Sequence, residues 1–160
     1  MTLRGHYNLR KSISQRQGER STYPPRDAAE IISQVLKGLE SFHKLNFVHR
    51  DIKPENIYNS GGIWKLGDYG GVRSQHLLGE LSSRGTLYYR APEVRPDAKD
   101  YLKIDRDYRL CDIYSVGLIL RELLTLENYW ELQSSPKRPP TVDTSIWIVA
   151  LKSIEKEPKD

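Results

Sequence analysis

The stretch from residue 108 to 126 constrains this chain most. Leu110, Ile113, Val116, Leu118, Ile119, Leu120, Leu123, Leu124 and Leu126 cover most of the circumference of any helix they form. A surface helix has one apolar stripe, whereas a helix apolar nearly all round belongs in the middle of a domain. Other elements therefore have to wrap around 108–126. At 160 residues the chain makes one domain with a core of useful size. The same run is a poor membrane span. Ser115, Arg121 and Glu122 interrupt residues 113–124, and a span needs roughly 18–20 apolar residues.

Ala28, Ile31, Ile32, Val35, Leu36, Leu39, Phe42 and Leu45 recur at helical spacing and predict an amphipathic helix over 27–45. Asp27 with Glu30 three residues on has the pattern of a capping box. Asn56–Tyr58 and Ile63–Leu66 read as short strands around the turn sequence Asn59-Ser60-Gly61-Gly62. Residues 14–26 are polar, 94–107 are strongly charged, and 134–143 form a Pro-rich loop. Ile146, Trp147, Ala150, Leu151 and Ile154 mark a further helix capped by Asp143 or Thr144. The expected fold is mainly α with one small β-hairpin.

Cys111 is the only cysteine, which excludes an intramolecular disulfide framework and argues against a Cys-based zinc site. A reducing compartment, the cytoplasm or the nucleus, is the expectation. The first residues, MTLRGHYNLR, lack an apolar signal core. Residues 1–26 hold six Lys/Arg against one acid, Glu19, a net of +5, whereas the remaining 134 residues sum to −1. A solvated basic surface accounts for this. Nucleic-acid binding is disfavoured, because no zinc-finger or RNA-binding motif accompanies the charge.

The string His49-Arg50-Asp51-Ile52-Lys53-Pro54-Glu55-Asn56 carries the chemistry. An Asp can accept or orient a hydroxyl proton, a Lys can neutralise phosphate, and an Asn can offer a hard oxygen to Mg²⁺. Asp68, in Gly67-Asp68-Tyr69-Gly70, follows the second strand and can bind the same metal. A lone Asp51 or Asp68 would more often be a turn residue; the constellation reverses that reading. His6, His43 and His76 have no metal-ligand partners at useful spacing and receive no role.

These motifs resemble those of the eukaryotic protein kinases. HRDIKPEN is similar to the catalytic loop, and DYG to the metal-binding DFG motif with Tyr69 in place of Phe. Gly85-Thr86-Leu87-Tyr88-Tyr89-Arg90-Ala91-Pro92-Glu93 is similar to the end of the activation segment. Asp112 matches the Asp of the family's central helix. The resemblance implies Asp51 as catalytic base, Lys53 as a contact to the transferred phosphate, and Asn56 and Asp68 as Mg²⁺ ligands. Lys53, Asn56 and Asp68 would together bind Mg²⁺ and ATP. It further implies that Arg50 receives a phosphate from the activation segment, with Ser82 the first candidate acceptor and Ser83 the second. Thr86 would shape the acceptor site, and Asp112 would hold the backbone near His49 and Arg50. Glu93 is the glutamate that an Arg pairs with in the family, and that partner is expected to be missing here. Tyr69 is expected in the core, and Tyr58 on the adenine floor. Lys53 and Thr86 point to the Ser/Thr branch, so the implied partners are a nucleotide and a protein with a Ser or Thr acceptor.

The resemblance covers the C-terminal lobe of the family's fold: a hinge-proximal segment, 1–26, and the helical lobe with catalytic loop and activation segment, 27–160. No GxGxxG loop or VAIK-like strand occurs, so the N-terminal lobe is expected to be absent from this chain. The chain then reads as a kinase fragment with weak or no activity by itself. The alternative is a catalytically inactive kinase-like module that binds partners.

Overall fold

A computed structural model of the chain describes residues 7–74, 87–95, 107–127, 138–140 and 142–146. Among these the fold is mostly helical, with two small antiparallel sheets.

Helix α1 spans Leu9–Glu19. Asn8 caps it, accepting the amide of Lys11 at 3.0 Å. Leu9, Ser12 and Ile13 are its buried face. The helix runs into the stretch that the sequence marks as polar. A hydrogen bond from Gln15 to Glu19 (3.0 Å) supports its solvent face, and Arg16 lies over the Tyr23 ring at 4.2 Å.

Helix α2 spans Pro25–Lys44 and buries Ala28, Ile31, Ile32, Val35 and Leu39, as the periodicity predicts. Its start differs from the expectation. Pro25 occupies the first helical position, where a missing N–H and a fixed φ cost nothing. The expected capping box at Asp27 and Glu30 does not form, because Asp27 already lies inside the first turn. Leu36 and Leu45 also depart from the predicted face, being 37% and 71% exposed at its edge and end.

Helix α3 spans Arg109–Thr125, and every residue from Ser115 to Leu124 is buried. It packs on α2 through a core containing Leu9, Ile13, Val35, Leu39, Leu118, Ile119 and Leu123. Burial on all sides is the outcome the sequence demands. Leu110 at the entry, 46% exposed, is the exception. No helix among the described residues is long and apolar enough to cross a membrane.

The hairpin joins β2 (Ile57–Ser60) to β3 (Ile63–Leu66), with Ile57 opposite Leu66. Its turn is shorter than the sequence implies. Asn59 and Ser60 belong to the strand, and Gly61 and Gly62, both at positive φ, make the two-residue connection. Asn56 lies outside the hairpin, in a 3₁₀ turn at Pro54–Asn56. A second pair was not anticipated: β1 (Phe47–Val48) pairs antiparallel with β4 (Arg73–Ser74). Asp143 accepts the Ser145 amide at 2.8 Å and caps a helical start at 144–146. The remainder of that predicted helix, and nearly all of the charged 94–107 stretch, lie outside the described residues.

Candidate active site

The two sheets are nested. Strands β2 and β3 form the inner pair, and β1 and β4 the outer. Residues 49–56 link β1 to β2, and 67–72 link β3 to β4, so antiparallel pairing sets the two segments side by side. Backbone contacts lock them there. The Gly67 amide donates to the Asn56 carbonyl at 2.9 Å. A Cβ on Gly71 would lie 3.0 Å from the His49 carbonyl oxygen, an approach only glycine allows without a shift.

Asp112, buried in the first turn of α3, anchors the 49–56 segment from below. Its Oδ2 accepts the His49 amide and its Oδ1 the Arg50 amide, each at 2.9 Å. His43 reaches the same carboxylate through Nε2 at 2.9 Å, a role that sequence spacing did not disclose. Arg50 is half-buried, with φ of 71 in the left-handed region. His49 is fully buried, and burial lowers its pKa from the ordinary 6.5, against the opposing pull of Asp112.

Three of the sequence-predicted residues touch. Lys53 Nζ donates to both Asp51 carboxylate oxygens, at 3.0 and 2.8 Å. Asn56 Nδ2 donates to the Asp51 carbonyl at 2.8 Å and to Asp51 Oδ2 at 2.9 Å. The Asp51 carboxylate is thereby oriented and its charge balanced, while its side chain stays 27% exposed. Both Asn56 bonds use the amide nitrogen, which leaves the amide oxygen on the other edge of the side chain.

Asp68 stands on the facing segment, exposed, at φ 58. Its carboxylate accepts a long contact from the Gly70 amide, 3.4 Å. Tyr69 departs from the expected core position. Its ring packs against Phe42 and His49, with centroids 5.4 and 6.0 Å away, yet the residue is 54% exposed. Phe42 and His49 pack on the ring without enclosing it, and the hydroxyl is satisfied locally by the Leu66 carbonyl at 2.6 Å. Tyr58, half-buried, pairs with Lys65 across the hairpin and forms a bridge with Asn8.

No group of three or more His, Cys, Asp or Glu among the described residues is placed to hold a metal ion. Mg²⁺ does not need one, since it binds through one or two protein oxygens together with phosphates and water. The Asn56 amide oxygen and the Asp68 carboxylate are hard donors of that kind. Ser82, Ser83 and Thr86 lie outside the described residues. Glu93 lies in the 3₁₀ turn Pro92–Val94, and the question of its ion-pair partner falls outside the described residues.

Arg10, Tyr89 and Glu122 have polar roles that the sequence reading missed. The side chain of Glu122 is 3% exposed and bonds Arg10 Nη1 at 2.6 Å. One signal was present: a carboxylate inside an apolar helix needs a cation to stay charged.

The chain matches the family model described as protein kinase domain over residues 3–159. It is 36% identical over 124 residues to a probable cell division protein kinase of Encephalitozoon cuniculi, covering 76% of this chain and 42% of that one. It is 40% identical over 111 residues to the serine/threonine-protein kinase PknL of Mycobacterium tuberculosis, covering 67% and 26%. It is 37% identical over 111 residues to the mitosis inducer protein kinase cdr2 of Schizosaccharomyces pombe, covering 66% and 13%. The chain thus spans less than half the length of these curated relatives.

Proposed function

Since the chain belongs to the protein kinase domain family, we propose that it is the catalytic part of a serine/threonine protein kinase. In this reading residues 27–160 form the C-terminal lobe and 1–26 a hinge-proximal segment. The reaction is transfer of the γ-phosphate of ATP to a protein Ser or Thr hydroxyl. The observation that carries the reading is the convergence of Lys53 and Asn56 on the Asp51 carboxylate, within 2.8–3.0 Å. The names of the relatives, two of them a serine/threonine and a cell division kinase, support the same branch.

Each residue then has a task. Asp51, held in one orientation, accepts a hydrogen bond from the acceptor hydroxyl and takes its proton as the oxygen attacks. Lys53 places a positive charge beside that oxygen and offsets the charge of the phosphoryl group. Asn56 and Asp68 would hold Mg²⁺. With Mg²⁺ held there, ATP would supply the phosphoryl group and leave as ADP, the metal offsetting the charge on the phosphates. Arg50 would take up a phosphate on Ser82 or Ser83, ordering the segment that leads to Thr86.

Calorimetric titration with ATP, in the presence and absence of Mg²⁺, tests the reading. Binding is expected only with Mg²⁺, and is expected to be lost in Asp68→Asn. Binding that ignores both Mg²⁺ and the substitution would count against a phosphoryl-transfer site. No binding at all would favour the partner-binding module.

A further inference from the structure

We propose that Arg10 is a positioning residue for the transfer site, a clasp that fixes the catalytic loop against the end of the activation segment. The proposal rests on the kinase reading above for its effect on catalysis, but not for the clasp itself. Arg10 is the second residue of α1, far from Asp51 in sequence, and its guanidinium uses all three nitrogens. Nε donates to Glu55 Oε1 at 2.9 Å. Nη1 donates to Glu122 Oε1 at 2.6 Å. Nη2 donates to the Tyr89 hydroxyl, and reaches Glu122 Oε2 at 3.4 Å. The Tyr89 hydroxyl in turn donates to Glu122 Oε2. One planar cation thus joins α1, the 54–56 turn, the 87–89 turn and α3.

The chemistry of the cluster explains why the cation is an arginine. A carboxylate as buried as Glu122 is costly without a cationic, hydrogen-bonding partner. Burial works against the charge on Arg10, yet the hydrogen bond and charge of Glu122 raise its pKa overall. Burial, then the Glu122 charge, also raise the Tyr89 pKa, so the phenol keeps its proton and donates it. A lysine has one nitrogen and cannot make the same planar, three-way contact.

The clasp reaches the catalytic residues through Glu55. Glu55 lies in the 3₁₀ turn with Asn56, the residue that orients Asp51. Asn8, the cap of the same helix, donates to the Glu55 carbonyl at 3.2 Å, so α1 grips this turn by backbone and by side chain. On the other side Ser115 donates to the Tyr89 carbonyl at 2.7 Å and fixes that residue to α3. Displacement of the guanidinium frees the turn that carries Asn56.

The test is Arg10→Lys in the protein at its native length, with Glu55→Ala as a second variant. Glu55→Ala removes the acceptor of Arg10 Nε and leaves the Glu122 and Tyr89 contacts in place, and so serves even if Arg10→Lys fails to fold. Two readouts are followed: amide hydrogen exchange at residues 51–57 and 87–89, and kcat and KM for peptide phosphorylation. The expected result is faster exchange in both segments, and kcat lower by about 10- to 100-fold with KM for ATP little changed. Unchanged exchange in both variants overturns the clasp, whatever the activity. Faster exchange with unchanged kcat overturns its catalytic role. If the unsubstituted protein transfers no phosphate, the kinase reading fails while the exchange data still decide the clasp.

Discussion

Asp112 turns both carboxylate oxygens toward backbone amides of another segment, His49 and Arg50. Replacing it with alanine leaves both donors without their acceptor, at roughly 1–3 kcal/mol for each unsatisfied group. Urea denaturation of Asp112→Ala should therefore show a loss of about 2–5 kcal/mol. A loss below about 1 kcal/mol would mean that the anchor is dispensable. His49 makes a pH prediction. Burial holds its imidazole below the ordinary 6.5, so below that pH the unfolded chain binds more protons than the folded one. Its contribution to stability is intact above pH 6.5 and is lost as pH falls through the folded-state value. The urea midpoint should drop between pH 7.5 and 5.5, and drop less in His49→Phe; equal drops would refute the assignment. At this scale the sequence points to Asp51, Lys53, Asn56 and Asp68 as candidates, because they sit in two short strings of fixed spacing. It did not disclose Arg10, whose bond to Glu122 spans 112 residues. Tyr69 departs from its expected core position because ring size speaks for burial, while Phe42 and His49 pack on the ring without enclosing it.

Helix α2 was legible because its apolar period is long and regular, and α3 because its apolar residues cover nearly the whole circumference. Their ends were less so, since Pro25 outcompetes Asp27 for control of the first turn of α2. Strands β1 and β4, two residues each, carry no period to read. Two glycines separate helix energetics from site geometry. A Cβ on Gly38, inside α2, would meet Leu66 Cδ1 at 3.7 Å, an ordinary contact. Gly38→Ala should stabilise the protein by about 0.5–1 kcal/mol, read as a higher urea midpoint. Gly71→Ala puts a Cβ 3.0 Å from the His49 carbonyl oxygen and should destabilise by roughly 1–3 kcal/mol. The reverse order of the two midpoints would contradict the packing described for these elements.

For the molecule as a whole, a buried helix supplies the floor and two nested ladders supply the alignment. α3 presents Asp112 to one linking segment, and the ladders hold the other beside it. The mainly helical class could be read from composition and period. The nesting could not, because it depends on a pairing between residues 47–48 and 73–74. The central claim is that Asp51, oriented by Lys53 and Asn56, directs phosphoryl transfer to a hydroxyl. The most direct measurement is γ-phosphate transfer to a Ser/Thr peptide by the protein at its native length, compared with Asp51→Asn. Mg²⁺-dependent transfer is expected, falling by about 10²–10⁴-fold in the variant with its fold retained. Transfer that persists undiminished in Asp51→Asn, or that never occurs in the unsubstituted protein, would contradict it.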